Sequence, residues 1–173
     1  MTSKFDPNKA QNAIEIEKQF AVKAVEHAQT YWNLLEKVPP RELKLSKIDD
    51  EIYEHTMKEF PEFAKEPHEK LRKLDEEWMK SVEGKKRWRK FIEAYNGRVT
   101  DHNFGSLIRM DADEEYSESN TIFVMRVQFL AIEIARNRLG LNDKVHEFAK
   151  AEAAKEAAKK GKEKLKATKD KSS

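Results

Sequence analysis

The sequence has 173 residues, enough for one domain of ordinary size with tails. It contains no cysteine, which excludes disulfides, thiol catalysis and zinc–thiolate sites. The net charge is +2, but residues 144–173 contain ten Lys against five acidic residues, so the preceding part of the chain is mildly acidic. That part therefore lacks the strong positive charge of a nucleic-acid-binding core.

The opening residues are polar and contain no apolar stretch of the kind found in secretory signals. No run of about 18 apolar residues occurs anywhere, so no membrane span is predicted. We therefore expect a cytoplasmic protein that does not enter a membrane. Residues 1–12 are expected to form a disordered N-terminus.

Two helices are predicted before Pro61. The first begins at an N-cap formed by Asn12 and ends at Pro39-Pro40. Its apolar residues recur at helical spacing and are Ile16, Phe20, Ala24, Ala28, Tyr31 and Leu35. The second helix starts after the N-cap Ser46 and ends before Pro61, because proline disfavours helical geometry in the residue that precedes it.

The middle of the chain predicts two further helices and one ambiguous stretch. Residues 65–83 are highly charged and predict an exposed helix, whereas Lys85–Tyr95 predicts a helix that buries Trp88 and Phe91. Asn96-Gly97 ends that helix. Residues 104–110 fit either a strand or a short helix, and the strand alternative implies a short β-hairpin near residues 104–124.

Residues 121–139 are the most hydrophobic segment and predict a central helix that is apolar on most of its circumference. One polar stripe interrupts it and contains Arg126, Glu133, Arg136 and Asn137. Burying these charges without partners would cost several kcal/mol for each charge. The stripe is therefore either an internal ion-pair network or a surface that is open to solvent or to a partner.

Beyond Asn142 the sequence changes to Ala/Lys/Glu repeats, which favour a solvated single helix that frays into a disordered end after Gly161. The lysines of this tail fit weak phosphate binding as well as a purely solubilising role. Together the elements predict a mainly all-α fold, with one helical domain over residues 13–143 and a basic tail over residues 144–173.

No catalytic constellation stands out in the sequence. The segment Gly84-Lys85-Lys86 lacks the upstream glycine of a Walker loop, and no G-x-S-x-G turn is found. His55 follows Glu51 by four residues but meets no metal-binding helix template. The basic segment 85–90 contains Trp88, whose periodicity favours the core over base stacking. We therefore predict a protein that is not an enzyme and needs no cofactor or metal.

Several long motifs carry a resemblance to a known family. An early one is Leu43-Lys44-Leu45-Ser46-Lys47-Ile48-Asp49-Asp50-x-Ile52-Tyr53. Later ones are Asp101-x-Asn103-Phe104-Gly105-Ser106-Leu107-Ile108-Arg109, Asn120-Thr121-Ile122-Phe123, Arg126-x-Gln128-Phe129 and Ala131-Ile132-Glu133-Ile134-Ala135-Arg136-Asn137-Arg138. Over about residues 14–143 the chain resembles the polysaccharide-biosynthesis-domain-containing protein family.

The resemblance implies a role as a dedicated chaperone of translation elongation factor 1-alpha. Family members look like proteins that hold the GTP-binding domain of this factor until the domain folds and binds nucleotide. The resemblance also implies that they reach the ribosome through the nascent-polypeptide-associated complex. Sugar chemistry, which the family name suggests, has no support in the sequence. Polar positions inside the shared motifs are the expected partner contacts, namely Asp49, Asp50, Arg109, Arg126, Glu133, Arg136 and Arg138.

A second hypothesis comes from the basic tail and the cationic segment 85–90. These would suit a ribosome- or RNA-associated binding protein, whose retention on RNA would be sensitive to salt. Under the leading hypothesis we expect instead a cytoplasmic monomer without specific nucleic-acid binding.

Overall fold

The computed structural model describes the backbone of residues 7–172 and the side chains of Lys18 and of residues 20–172. The described elements are α1 (Pro7–Lys37), a 3-10 turn (Pro40–Glu42), α2 (Asp49–Glu59), α3 (Pro61–Ala64), α4 (Glu69–Arg72), α5 (Glu76–Lys80), α6 (Val82–Glu93), β1 (Gly105–Arg109), β2 (Thr121–Met125), α7 (Arg126–Arg138) and α8 (Asp143–Lys171). The prediction of a mainly helical fold with a β-hairpin as its variant is confirmed.

Helix α1 begins at Pro7, so the N-cap predicted at Asn12 is wrong. Proline suits the first turn of a helix because its missing N–H would have had no helical partner there. Of the predicted disordered N-terminus, residues 7–12 are helical, and residues 1–6 lie outside the described part of the chain. The predicted buried face is seen where side chains are described, at Ala24, Ala28, Tyr31 and Leu35, whereas Phe20 is exposed.

The single helix predicted over residues 65–83 is also wrong, because this segment forms α4 and α5 with extended backbone between them. Its backbone bonds to the chain after β1: Leu74 N donates to Met110 O at 3.0 Å, and Ala112 N donates to Arg72 O at 2.8 Å. The side chain of Asp75 then accepts from Trp78 N and starts α5. Long-range pairing and local capping therefore override the helical periodicity of the segment.

Strands β1 and β2 form an antiparallel hairpin in which Leu107 faces Phe123 and Gly105 faces Met125. The helix predicted over residues 121–139 is therefore wrong for residues 121–125 and correct for α7. In β2 the burial alternates: Ile122 and Val124 are buried, whereas Phe123 and Met125 are exposed. A short run of apolar residues fits a strand as well as a helix, and here pairing with β1 decides between them.

Helix α7 lies at the centre of the molecule and contacts α2, α4, α6 and both strands. Its buried residues include Val127, Phe129, Leu130 and Ile132. An aromatic cluster stands beside it, where Trp88 of α6 stacks on Phe60 with ring centroids 4.2 Å apart. Gly140 closes α7 with a φ of 77°, a left-handed backbone conformation that favours glycine.

Helix α8 is continuous from Asp143 to Lys171, so the predicted fraying after Gly161 is wrong. Ala, Lys and Glu are strong helix formers, and one glycine costs only about 1 kcal/mol. The first turns of α8 pack on α1 and bury Val145, His146 and Ala149. Packing therefore extends past residue 143, where the helical domain was expected to end.

Two glycines give a matched test of this packing. A Cβ at Gly84 would lie 2.0 Å from the backbone oxygen of Trp78, whereas nothing lies within 4 Å of a Cβ at Gly161. We expect Gly84→Ala to lower the free energy of unfolding by about 1–3 kcal/mol, because α6 must shift away from α5. Urea denaturation measures this effect.

Gly161→Ala is the control. It should raise the helix content of α8, measured by far-UV circular dichroism, because alanine is favoured over glycine in a helix by about 1 kcal/mol. Equal urea midpoints for Gly84→Ala and the unmodified protein would contradict the close α5–α6 contact.

Candidate binding surface

Glu133 lies fully buried at the centre of a polar network. Arg136 Nη1 donates to its Oε1 at 2.9 Å, and Arg109 Nη2 donates to its Oε2 at 3.3 Å. Asn142 Nδ2 donates to Oε2 at 3.0 Å, and the Tyr31 hydroxyl donates to the same oxygen. Four groups from α1, β1, α7 and the start of α8 therefore meet at one carboxylate.

The two arginines of the network also bond to backbone carbonyls. Arg136 donates to Leu71 O at 2.9 Å and to Met110 O at 2.9 Å, and Arg109 donates to Ala112 O at 2.7 Å. These carbonyls belong to α4 and to the irregular chain after β1. A buried charge is tolerated where hydrogen bonds satisfy it, so the network fixes the positions of segments that lack regular structure.

The charges of two neighbouring arginines keep Glu133 ionised. Burial on its own raises the pKa of this carboxyl, but Arg109 and Arg136 outweigh it and hold the pKa below the ordinary value of 4.5. A carboxylate with a lowered pKa stabilises the folded state above its ordinary pKa, and this contribution is lost as the pH falls through the folded-state pKa. Glu133 therefore adds stability at neutral pH that is lost in acid.

Three of the expected partner contacts are therefore wrong. Arg109, Glu133 and Arg136 have no exposed surface, so they cannot touch another protein. Of the two alternatives for the polar stripe, the structure shows the internal network for Glu133, Arg136 and Asn137, whereas Arg126 lies outside it. Asp49 is also buried, and its carboxylate accepts from Leu45 N at 2.8 Å and Ser46 N at 2.7 Å. It shapes the turn before α2 and is not available as a contact.

The other three expected contacts reach the surface at separate places. Asp50 and Arg138 form an ion pair at 2.5 Å, and Arg138 also lies over the Tyr53 ring, 5.1 Å from its centroid. Arg126 is half-buried at the other end of α7, about 18 Å along the helix axis. Beside it, burial and the charge of Arg126 lower the pKa of His27. The structure does not unite these residues in one site.

The exposed apolar side chains form a different surface, on the outer side of the hairpin. Phe20 and Phe104 contact each other edge to face at 5.5 Å. With Gly105, Phe123 and Met125 they line a groove of about 470 Å³. Phe123 is 57% exposed, and together these neighbouring exposed apolar side chains form the kind of contiguous patch that marks a contact surface.

A second groove of about 450 Å³ continues along α1 and the hairpin. Val25, Trp32, Leu107 and Tyr116 line it, and the Trp32 and Tyr116 rings meet edge to face at 6.2 Å. We call the outer surface formed by Phe20, Val25, Trp32, Phe104, Leu107, Phe123 and Met125 the hairpin face. The hairpin face was not predicted from the sequence. If residues 122–125 are taken as a strand, Phe123 and Met125 point to one side and Ile122 and Val124 to the other.

Acidic side chains border one end of the hairpin face. Glu115 and Glu118 line the second groove together with its aromatic rings. Neither carboxylate forms an ion pair with any side chain that the structure describes. The hairpin face therefore combines apolar area with unpaired negative charge.

Neither a membrane span nor a metal cluster is found among the described residues. No described helix combines the length and the apolar composition that a bilayer crossing requires. No group of three or more His, Asp and Glu side chains in the described part of the chain could hold a metal ion.

Comparisons of this chain with family models and with known proteins all indicate one family. The sequence model of the PBDC1 protein family matches residues 16–147. The chain belongs to the PBDC1 family. It is 52% identical over 141 residues to the PBDC1 homolog of Saccharomyces cerevisiae, a match that covers 82% of this chain and 95% of the yeast protein. Human PBDC1 is 44% identical over 135 residues, which are 78% of this chain and 55% of the human protein.

A solved structure supports the fold of this PBDC1 family member. The solution NMR structure of protein yst0336 from Saccharomyces cerevisiae matches with a TM-score of 0.73 and 50% sequence identity, over 84% of this chain and 99% of that chain. The PBDC1 match includes the buried network and the hairpin face and stops before the exposed length of α8. The names of these relatives assign no catalytic activity.

The network can be tested by removing one of its cations. Arg136→Met removes one of the two cations that pair with Glu133 and leaves the backbone carbonyls of Leu71 and Arg109 without a donor. We expect the free energy of unfolding to fall by about 3–5 kcal/mol, as for other broken buried ion pairs. Arg138→Met on the same helix is the control and should change it by less than about 1 kcal/mol. Urea denaturation with similar losses for both variants would contradict the structural role of the network.

Proposed function

We propose that this protein is a non-enzymatic chaperone that binds newly made translation elongation factor 1-alpha through its GTP-binding domain and assists its folding in the cytoplasm. The observation that carries the proposal is the hairpin face, an exposed apolar surface with two grooves on a firmly packed helical body. Family resemblance suggests the client, and the face suggests how a client would be held.

The physics of the client fits this surface. A GTP-binding domain is built on a parallel sheet, whose strands pair with partners distant in sequence, so it closes slowly and exposes apolar surface meanwhile. Open apolar grooves such as those beside Phe104 and Trp32 can cover such surface transiently. A chaperone of this kind needs no nucleotide site of its own, in line with the missing Walker loop.

Release follows from differential affinity. Nucleotide and magnesium order the switch loops and the phosphate site of a GTP-binding domain. If the chaperone binds the incomplete domain more tightly than the completed one, then nucleotide binding shifts the population toward the free client. Energy from hydrolysis by the chaperone is not needed for this cycle.

A binding assay on purified components tests the proposal. The full chain is mixed with the isolated GTP-binding domain of elongation factor 1-alpha, either diluted from denaturant, with GDP or with GTP, and complexes are separated by size exclusion. We expect a complex with the incomplete domain that weakens once nucleotide is bound. No complex in any of these states would contradict the proposal.

A matched pair of variants tests the surface. Phe20 is 43% exposed on the hairpin face, and Leu165 is 67% exposed on the free length of α8. We expect Phe20→Ser to weaken the complex about tenfold, since a lost apolar contact is worth about 1.4 kcal/mol or more. Leu165→Ser should leave binding unchanged. Equal affinities measured by fluorescence titration would place the client elsewhere on the molecule.

A second candidate function, ribosomal RNA binding, is favoured by one observation. From Lys150 to Lys171, α8 stands exposed along nearly all of its length and carries nine Lys against four acidic residues. Such a helix can neutralise phosphates without sequence preference. The family resemblance suggests a different partner for the same segment, namely the nascent-polypeptide-associated complex.

Truncation after Ala149 tests this second function, because it keeps the buried turns of α8 that contain Val145 and His146. If the tail binds RNA, the full chain should be retained on ribosomal RNA at low salt and released as salt rises, whereas the truncated chain should not be retained. Filter binding across a salt series measures both. Equal retention of the two chains would contradict RNA binding by the tail.

A further inference from the structure

The hairpin has two outer edges, and hydrogen bonds show which backbone groups point toward them. Met110 N donates to Asn120 O at 2.8 Å, and Arg126 N donates to Phe104 O at 2.7 Å, one bond at each end of the ladder. In an antiparallel pair, hydrogen-bonded and non-bonded positions alternate. With the observed register, Ile122 and Val124 bond to β1, so the backbone groups of Thr121, Phe123 and Met125 point away from it.

Side chains cover the edge of β1. The Tyr116 hydroxyl donates to Leu107 O at 3.1 Å, and Arg136 Nη1 donates to Arg109 O at 2.8 Å. The outward carbonyls of Leu107 and Arg109 are thus occupied by side chains of the molecule itself. A strand that paired with this edge would have to displace them, so the edge of β1 is less open to strand addition.

Among the residues that the structure describes, a side chain bonds to the edge of β2 only at one end. Met125 N donates to Gln128 Oε1 at 2.8 Å, which also fixes the start of α7. No described residue bonds to the outward N–H or C=O groups of Thr121 and Phe123. Natural edge strands are protected by charged residues, proline or bulges, and β2, Thr-Ile-Phe-Val-Met, has no charged residue or proline and pairs without a bulge.

A groove of about 480 Å³ runs along this open edge. Four consecutive residues of β2, Ile122 to Met125, line it together with the apolar residues Met79, Trp88 and Ile92. A groove that lies along a free strand edge and is partly lined by apolar side chains has the form that strand addition uses, where main-chain bonds give affinity and pockets take alternate side chains.

Charge in the groove indicates what kind of strand fits. Lys80 is paired with Glu76 at 2.5 Å. Lys85 and Arg89 of α6 also line the groove, and neither forms an ion pair with a side chain that the structure describes. Glu93 supplies one opposing charge. The net positive charge favours a segment with an acidic residue among its apolar ones.

We propose that an extended, unfolded segment of the client, apolar at alternate positions and with an acidic residue, pairs with the open edge of β2 as a third strand. This inference rests on the proposed chaperone function and specifies how the client is recognised. It also explains release, because a segment that joins the client's own sheet loses the free backbone groups that β2 binds. A folded domain without a free strand would not be held.

Amide exchange measured by NMR tests the pairing directly. In the free protein, the amides of Thr121 and Phe123 should exchange fast and those of Ile122 and Val124 slowly. Two probes are added to the full chain: the GTP-binding domain of elongation factor 1-alpha diluted from denaturant, and reduced carboxymethylated α-lactalbumin, which stays unfolded. Strand addition should slow exchange of Thr121 and Phe123 by about tenfold or more.

A proline substitution at the edge gives an independent test. Thr121→Pro removes one outward N–H and leaves the bonds between β1 and β2 intact, since proline is accepted on edge strands. Thr121→Val is the matched control that keeps the N–H. We expect Thr121→Pro to weaken client binding about tenfold relative to Thr121→Val. If Thr121→Pro does not fold, exchange in the unmodified protein decides alone.

The outcomes separate this inference from the function on which it rests. A complex with unchanged exchange at Thr121 and Phe123 would overturn strand addition and leave the chaperone function standing. Slowed exchange with the unfolded probe but no complex with the GTP-binding domain would support the open edge and overturn that client. Protection that rises with protein concentration alone would assign the edge to a second copy of the chain and overturn the proposal, as would the absence of both effects.

Discussion

Ionisation of one buried carboxylate, Glu133, is the constraint on which the rest of the structure depends. A charge with no exposed surface is tolerated only if it is fully compensated, and here two arginines, an asparagine and a tyrosine meet it. Those partners come from α1, β1, α7 and the start of α8. The hydrogen bonds to this one carboxylate thus hold these four elements in fixed positions relative to each other.

This arrangement has a consequence for the hairpin. Arg136 donates to the carbonyl of Arg109, and Tyr116 donates to that of Leu107, so two outward carbonyls of β1 are occupied from inside the molecule. Among the described residues, no side chain bonds to the outward backbone groups of Thr121 and Phe123 on β2. The same packing leaves Phe123 and Met125 on the outer side. The body therefore presents a two-stranded sheet with two occupied carbonyls at the edge of β1 and an apolar outer face.

Much of the architecture could be predicted from residue patterns. Periodicity located the buried residues of α1 and α6, and prolines marked the ends of α1 and α2 because they act on their immediate neighbours. Prediction failed where distant segments compete with local preference. Residues 65–83 and 121–125 have helical spacing, but the first segment breaks into two short helices and the second forms a strand, because both pair with another part of the chain.

The expected contacts failed for a related reason. The sequence by itself determined that Glu133 and Arg136 must be compensated or exposed, because burying an unpaired charge is too costly. Only the tertiary structure decided for burial, since it alone brings Tyr31, Arg109 and Asn142 to one carboxylate. It also decided which apolar residues stay outside. Composition determines how many apolar side chains the chain has. The pairing of two strands and the packing of α1 determine which of these side chains remain exposed.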